Sequence, residues 1–475
     1  MSGFFKKFLQ FAIGPISGTL IGLITIPITT YFISPTELGR AAMFTLAQSL
    51  MGSFLYLGLD QAYTREFNVE SDKDNLLLNA MLFPFSLAFL VTIFFFVNSY
   101  FISSLLFDGE YYRIPVYLTG ITAIFIVFER FVLLRLRMEE KAIEFSMRTI
   151  MTKIITLVTT IIFVTTIRRD FIAIVFSVAL GQILADLVLF YRYRKMFKVK
   201  NFKFDKGLQK RLWKFGLPII ASVGIGSALS TFDRISLRAW SDFEQLGLFT
   251  AATKVTSLML VLQGMFTTFW VPTAYRWHEE KKDLSNYQLV SDGVLALMSI
   301  GFVLLLLFKS LIILLISEQY REAIYFIGFL SLYPLLYTLS ETTTLGIVFS
   351  RKSYFNILVS IIAVIPNLIL NFFLVPHFGA LGAAIGSGVS YIFFFLARTY
   401  FSFKEWGGFS IKKHILIIIF MVILSVINTQ SSRLVYIVNL ISLFIILFIN
   451  RKILKMGIEE FTQILKRKKL KSKNS

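Results

Sequence analysis

Six basic side chains lie inside long apolar runs of this 475-residue chain: Arg130, Lys153, Arg234, Lys254, Lys309 and Arg398. If those runs cross a bilayer, a charge near mid-depth costs at least about 2.5–3.5 kcal/mol on insertion scales, so it faces a cavity or a partner. Lys153 and Lys254 each lie about ten residues, roughly 15 Å, from the end of their run. Lys309 and Arg398 are close enough to run ends for their long stems to reach the interface. Two chemistries suit the mid-depth pair. One is an interhelical salt bridge, with Asp60, Asp186, Asp233 and Glu341 as candidate partners. The other is a cationic cavity that receives an anion such as a phosphate.

The same runs carry polar stripes. Ser222, Gly226, Ser230 and Asp233 or Arg234 recur at helical spacing, which places them on one helix face. Thr250, Lys254 and Ser257 do the same on the next run. Stripes that end in a charge read as cavity lining. Gly14, Gly18 and Gly22 read instead as a close helix contact through small residues. Pro15, Pro27, Pro218, Pro334 and Pro366 also fall inside runs, where each removes a backbone bond and permits a kink.

Composition sets the class around these residues. The chain is 56% hydrophobic and 16% charged, where a soluble domain carries roughly 25% charged residues. A bilayer accommodates that surplus, because a helix satisfies its own backbone. There are no cysteines, so disulfides and thiolate chemistry are excluded. His278, His377 and His414 are far apart in sequence, and no metal site or cofactor is expected from them. No phosphate-binding GxxxxGK[ST] loop is present. The run 8–33 is too long for the apolar part of a cleavable signal. The extramembrane loops are too short to house an ordinary catalytic site, so no enzymatic activity is expected.

About fourteen membrane-spanning helices are predicted, over 8–33, 39–63, 79–107, 114–137, 143–167, 171–191, 214–240, 246–273, 288–316, 323–349, 354–375, 380–401, 414–430 and 433–450. With the N-terminus inside, 35 of the 48 Lys and Arg fall on the cytoplasmic side and seven on the other. That bias places both ends in the cytoplasm. It also explains the net charge of +20 without a nucleic-acid partner. The tail Lys466 to Lys473 is expected to lie on the anionic leaflet.

The two halves look alike. Each has a helix with an early Pro, then a short turn ending in Leu-Gly (Leu38-Gly39 and Leu246-Gly247), then a return helix. The expected organisation is a six-helix bundle over 1–191, a basic cytoplasmic linker over 192–213, and a second bundle over 214–403. Two further helices follow over 404–450, and a basic tail over 451–475. Six helices per copy makes the repeat parallel.

Four motifs in order carry a family resemblance. They are Tyr31 to Gly39 (YFISPTELG), Leu57 to Glu66 (LGLDQAYTRE), Ser230 to Arg234 with Leu246 to Ala252, and Asn371 to Pro376 with Phe378 to Ala384. At these residues the chain resembles the polysaccharide transporter family of the multidrug/oligosaccharidyl-lipid/polysaccharide (MOP) exporters, which includes flippases for O-antigen repeat units. The resemblance implies an all-α, MATE-like fold of two bundles around a central cavity that opens alternately to each side. It implies an undecaprenyl-pyrophosphate-linked oligosaccharide as substrate, crossing the cytoplasmic membrane, with a polysaccharide polymerase and glycosyltransferases as further partners. Lys153, Lys254, Arg234, Arg130, Arg65 and Ser230 are then the candidate cavity residues. The acids Asp60, Asp186 and Glu341 depart from that cationic picture. They suit coupling to H+ or Na+ and leave open a small-molecule or drug exporter of the same fold.

Overall fold

The computed structural model describes residues 2–109, 112–197, 202–350, 352, 354–456 and 459. Among them every regular element is helical. The helices are α1 (Ser2–Phe32), α2 (Pro35–Phe54), α3 (Leu59–Glu66), α4 (Lys73–Val97), α5 (Ser99–Phe107), α6 (Arg113–Met138), α7 (Ala142–Ile162) and α8 (Phe171–Tyr193). Then come α9 (Lys206–Trp240), α10 (Phe243–Glu279), α11 (Leu284–Leu307), α12 (Lys309–Ile316), α13 (Ile327–Thr343), α14 (Leu345–Phe349), α15 (Tyr354–Trp406), α16 (Lys412–Ile427) and α17 (Leu434–Ile449).

Seven of these helices are long and apolar enough to cross a membrane, or up to nine if each of two bent pairs is one span. The sequence predicted about fourteen spans, and the difference has local causes. α2 and α3 are bent by 47° around Leu57 and Gly58, whose φ values are 52° and 66°. α15 is 53 residues long and is broken at Gly379, where φ is 51°. At 1.5 Å per residue it is about 80 Å long, enough for two crossings. α9 begins at Lys206 because the Asp205 side chain accepts from the N–H groups of Gly207 and Leu208. Much of the stretch expected as linker is therefore helical. The basic tail Lys466 to Lys473 lies outside the described residues.

The chain forms two compact units. Unit 1 holds residues 1–254, 315–320 and 375–380, and unit 2 holds 255–314, 321–374 and 381–475. The core of unit 1 gathers Leu59, Tyr63, Leu77, Ala80, Val127, Phe131 and Leu212 from α3, α4, α6 and α9. The core of unit 2 includes an aromatic cluster of Trp270, Trp277, Tyr287 and Trp406.

The two Leu-Gly turns meet inside unit 1. A Cβ on Gly39 would fall 1.9 Å from the carbonyl oxygen of Phe243, and one on Gly247 would fall 1.8 Å from that of Pro35. Each turn thus presses its glycine on the other's backbone, and no side chain fits. The residue before each Leu-Gly caps a later helix. Glu37 Oε2 accepts from Phe171 N–H (2.9 Å) at the start of α8. Gln245 Oε1 accepts from Ala380 N–H (3.0 Å) just after the break in α15. The two turns thus do equivalent jobs.

The α1 glycines divide. Gly14 lies against Ser146 of α7, where a Cβ would fall only 2.7 Å from Ser146 Cα, whereas Gly22 has open space. Gly39→Val is therefore expected to cost at least about 2 kcal/mol through overpacking, while Gly22→Ala is expected to change little. Thermal unfolding in detergent, followed by tryptophan fluorescence, measures both.

Candidate functional site

The bend between α2 and α3 starts the site. Gly58 packs so closely on Gly216 that a Cβ would lie 2.3 Å from its carbonyl oxygen. That turn sets Asp60 near the start of α3, buried to 4% exposure. Arg130 of α6 reaches it with Nη2 at 2.7 Å and Nε at 3.0 Å from the same oxygen. The Arg130 guanidinium also lies 5.4 Å from the centre of the Tyr56 ring.

A second arginine is buried more deeply. Arg148 of α7 is 5% exposed. It bonds Asp186 of α8 through Nη2 at 2.5 Å and Nε at 3.1 Å, and Glu129 of α6 lies 2.9 Å away. Its Nη1 also donates to Thr152. Gly181 lets α8 approach α7, since a Cβ there would meet Thr156 Oγ1 at 2.0 Å. The Lys153 stem passes Gly18 of α1, whose absent Cβ would lie 3.5 Å from Lys153 Cγ.

These groups line a cavity of about 610 Å³ within unit 1. Its charged lining is Arg130, Arg137, Arg148 and Lys153 against Glu129, with Gln48, Gln182, Thr149, Thr152 and Thr156 as polar walls. Asp60 and Asp186 stand behind the arginines. Lys153 is exposed into this space. Among the described residues no carboxylate lies within ion-pair distance of it, and Glu129 is the acid whose field reaches it. The cavity therefore offers an ammonium group that an anion could take without displacing an internal partner.

The other expected residues sit as follows. Lys254, in α10, lies within electrostatic range of Lys153 and Arg234, and each of the two repels it. Arg234 is half-buried beside Asp233. Arg65 is exposed outside the cavity lining, with its guanidinium 4.6 Å from the Phe215 ring centre. The Ser230 side chain is outside the described ones. Glu341 belongs to unit 2, where Arg398 Nη1 meets its Oε1 at 2.8 Å and Ser340 Oγ at 2.7 Å.

Sequence reasoning placed three cations differently, one of them Arg398, which was expected to reach the interface and is held by Glu341 and Ser340 instead. Arg148 is one of the 35 Lys and Arg that the topology reading assigns to the cytoplasmic side. Instead Asp186 and Glu129 hold it inside. Lys309 was expected to snorkel, yet it is 2% exposed, donates to the Asn428 carbonyl oxygen (3.1 Å) and lies between the Tyr325 and Tyr436 rings. A cation at a helix C-terminus is favoured by the helix dipole. Glu129 was missed altogether, although the test that flagged Arg130 applies equally to its neighbour.

The class that the fold and cavity define is a helical membrane protein with a polar cavity inside one bundle. The fold agrees with solved members of that class. A structure titled "Lipid II flippase MurJ, inward closed conformation" matches with a TM-score of 0.71 at 16% identity, covering 95% of this chain and 99% of that one. An inward-facing multidrug resistance MATE transporter of the MOP superfamily matches with a TM-score of 0.63 at 18% identity, covering 81% and 93%. An outward-facing one matches with a TM-score of 0.55 at 16% identity, covering 84% and 94%. The chain is thus a multi-pass membrane protein of the MurJ and MATE fold. Residues 4–278 match the family model described as "Polysaccharide biosynthesis protein", and the chain belongs to that family. No curated protein matches it.

Removing one partner of a buried ion pair leaves an uncompensated charge and typically costs about 3–5 kcal/mol. Arg148→Met, which strips both Asp186 and Glu129 of their cation, is expected to fall in that range by thermal unfolding. The apolar double variant Arg148→Met with Asp186→Leu is expected to recover part of the loss, because it removes both charges. Equal instability of the single and double variants would show that the pair is not what holds α7 to α8.

Proposed function

We propose that the chain is a flippase for an undecaprenyl-pyrophosphate-linked oligosaccharide, working by alternating access in the assembly of a surface polysaccharide such as O-antigen. The observation that carries this reading is Lys153, a lysine exposed in a membrane-protein cavity without a carboxylate partner among the described residues. A pyrophosphate suits it, since Arg130, Arg137 and Arg148 line the same space and guanidinium groups bind phosphate oxygens in pairs. The family's description and the flippase title of one structural match support the same substrate class. The 35-to-7 distribution of basic residues supports a cytoplasmic membrane location with both ends inside.

Energy coupling has a candidate route in the same residues. Asp60, Asp186 and Glu341 are each paired with an arginine. An anion that drew Arg130 or Arg148 away would free Asp60 or Asp186 to take H+ or Na+. The MATE matches favour a second reading, in which those acids serve a cation-coupled exporter of small molecules.

Transfer of a fluorescent lipid-linked oligosaccharide across proteoliposomes tests the first reading. Lys153→Ala is expected to slow transfer at least about tenfold, on the scale of a lost charge-assisted contact, while insertion stays normal. Unchanged transfer rejects the cationic-cavity reading. Raised drug tolerance on overexpression, lost in Asp186→Asn, favours the exporter.

A further inference from the structure

Where α10 ends in unit 2, the run Arg276-Trp277-His278-Glu279-Glu280-Lys281-Lys282-Asp283 mixes charges of both signs. The fold sorts them. The chain reverses as Lys282 N–H donates to the Trp277 carbonyl oxygen (2.9 Å) and Lys281 N–H to that of His278 (3.1 Å). The turn holds Lys281 at a φ of 51°. Glycine takes that left-handed conformation freely, and a residue with a side chain pays for it.

A cavity of about 250 Å³ opens on one side of the turn, lined by His278, Lys281, Lys282, Leu284, Tyr287 and Trp406. All of these belong to unit 2. Among the described residues no acid lines it. Glu280 makes loose contacts with Arg276 (4.0 Å) and Lys282 (3.8 Å). Glu405, beside Trp406, is taken by Lys352 at 2.7 Å. Glu279 and Asp283 are exposed outside the lining. Lys281 has no ion pair among the described residues.

The rings around the cavity are fixed. Tyr287 is fully buried and meets Trp406 edge-on, with centroids 4.7 Å apart. The His278 ring stacks on Phe349 at 3.9 Å with planes 12° apart. A merely solvated turn needs none of this. It gains nothing from a lysine in a left-handed position or from an imidazole held on a phenyl ring.

The ligand's chemistry follows from the lining. Two ammonium groups and an imidazole facing one space without an acid complement a phosphate, whose oxygens accept charge-assisted bonds. The cavity is smaller than a typical drug-sized site of roughly 300–1,000 Å³, so it suits a headgroup. The rings point to the source. Trp and Tyr gather where a membrane protein meets the headgroup layer, as Trp277, Tyr287 and Trp406 do here. Basic pockets at the cytoplasmic ends of membrane helices hold anionic headgroups. We propose that His278, Lys281 and Lys282, over the Tyr287 and Trp406 rings, bind the phosphate of an anionic phospholipid. The site shares no residue with the unit 1 cavity. Its place in the cytoplasmic leaflet rests on the topology proposed above; its chemistry does not depend on what the protein transports.

The test is native mass spectrometry of the purified full-length protein with short-chain phosphatidylglycerol, with phosphatidylcholine of the same chain length, and with inorganic phosphate as competitor. Wild type should hold phosphatidylglycerol more tightly than phosphatidylcholine. Lys281→Gly should cut that preference roughly tenfold, the scale of one lost charge-assisted bond. Adding Lys282→Gln should abolish it. Lys281→Gly should not lower the melting temperature, because glycine suits the turn, so its loss of preference is not a loss of fold. If the double variant fails to fold, Lys281→Gly alone decides. The preference should survive Lys153→Ala. The site is overturned if wild type binds both lipids equally, if the lysine variants of the turn keep the preference, or if Lys153→Ala removes it as well. Inorganic phosphate that displaces phosphatidylglycerol at equal concentration would make this a site for soluble phosphate and overturn the lipid assignment.

Discussion

An arginine inside a membrane bundle is costly unless the protein supplies its counter-charge. That constraint organises unit 1. Arg130 is met by Asp60 and Arg148 by Asp186 and Glu129. Each pair joins different helices, so the charges also dictate which helices lie side by side. α3 meets α6 through Asp60 and Arg130. α6, α7 and α8 meet through Glu129, Arg148 and Asp186. The desolvation cost of such pairs makes them weak net stabilisers, but breaking one is expensive. They act as register pins for the walls of a cavity.

Lys153 departs from that rule, and the departure has functional meaning. It lies on α7 close to Arg148, yet it meets no carboxylate at ion-pair distance among the described residues. The small residues around it serve its placement. Gly18 of α1 leaves room for its stem, and Gly181 of α8 draws the α7 wall inward. The cavity thus combines Arg130 and Arg148, held by their own acids, with Lys153 and Arg137, which have no ion pair among the described residues. In the proposed function such an environment is arranged before a ligand arrives, which would spare the ligand the cost of organising it.

Much of the fold was legible because the bilayer leaves few choices. Apolar runs had to be helices, and the Pro-rich starts and Leu-Gly turns repeated visibly. What those turns do was not legible. That Gly39 and Gly247 press on each other's backbone, and that Glu37 and Gln245 cap later helices, depends on contacts across more than a hundred residues. The site was read in part. Intramembrane charge flagged Arg130, Lys153 and Lys254. It misplaced Arg148, because position along a helix does not say whether an arginine stem turns to water or to a neighbouring carboxylate. The interruption of α15 at Gly379 was legible, because the predicted spans 354–375 and 380–401 leave the break between them.

A cryo-electron-microscopy structure of the full chain with farnesyl pyrophosphate bound would show whether the unit 1 cavity holds a pyrophosphate group through Lys153. Phosphate density is expected in the cavity lined by α2, α6, α7 and α8, within hydrogen-bond reach of Lys153 Nζ. Bound ligand with its phosphates elsewhere, and Lys153 left without contact, would contradict that expectation.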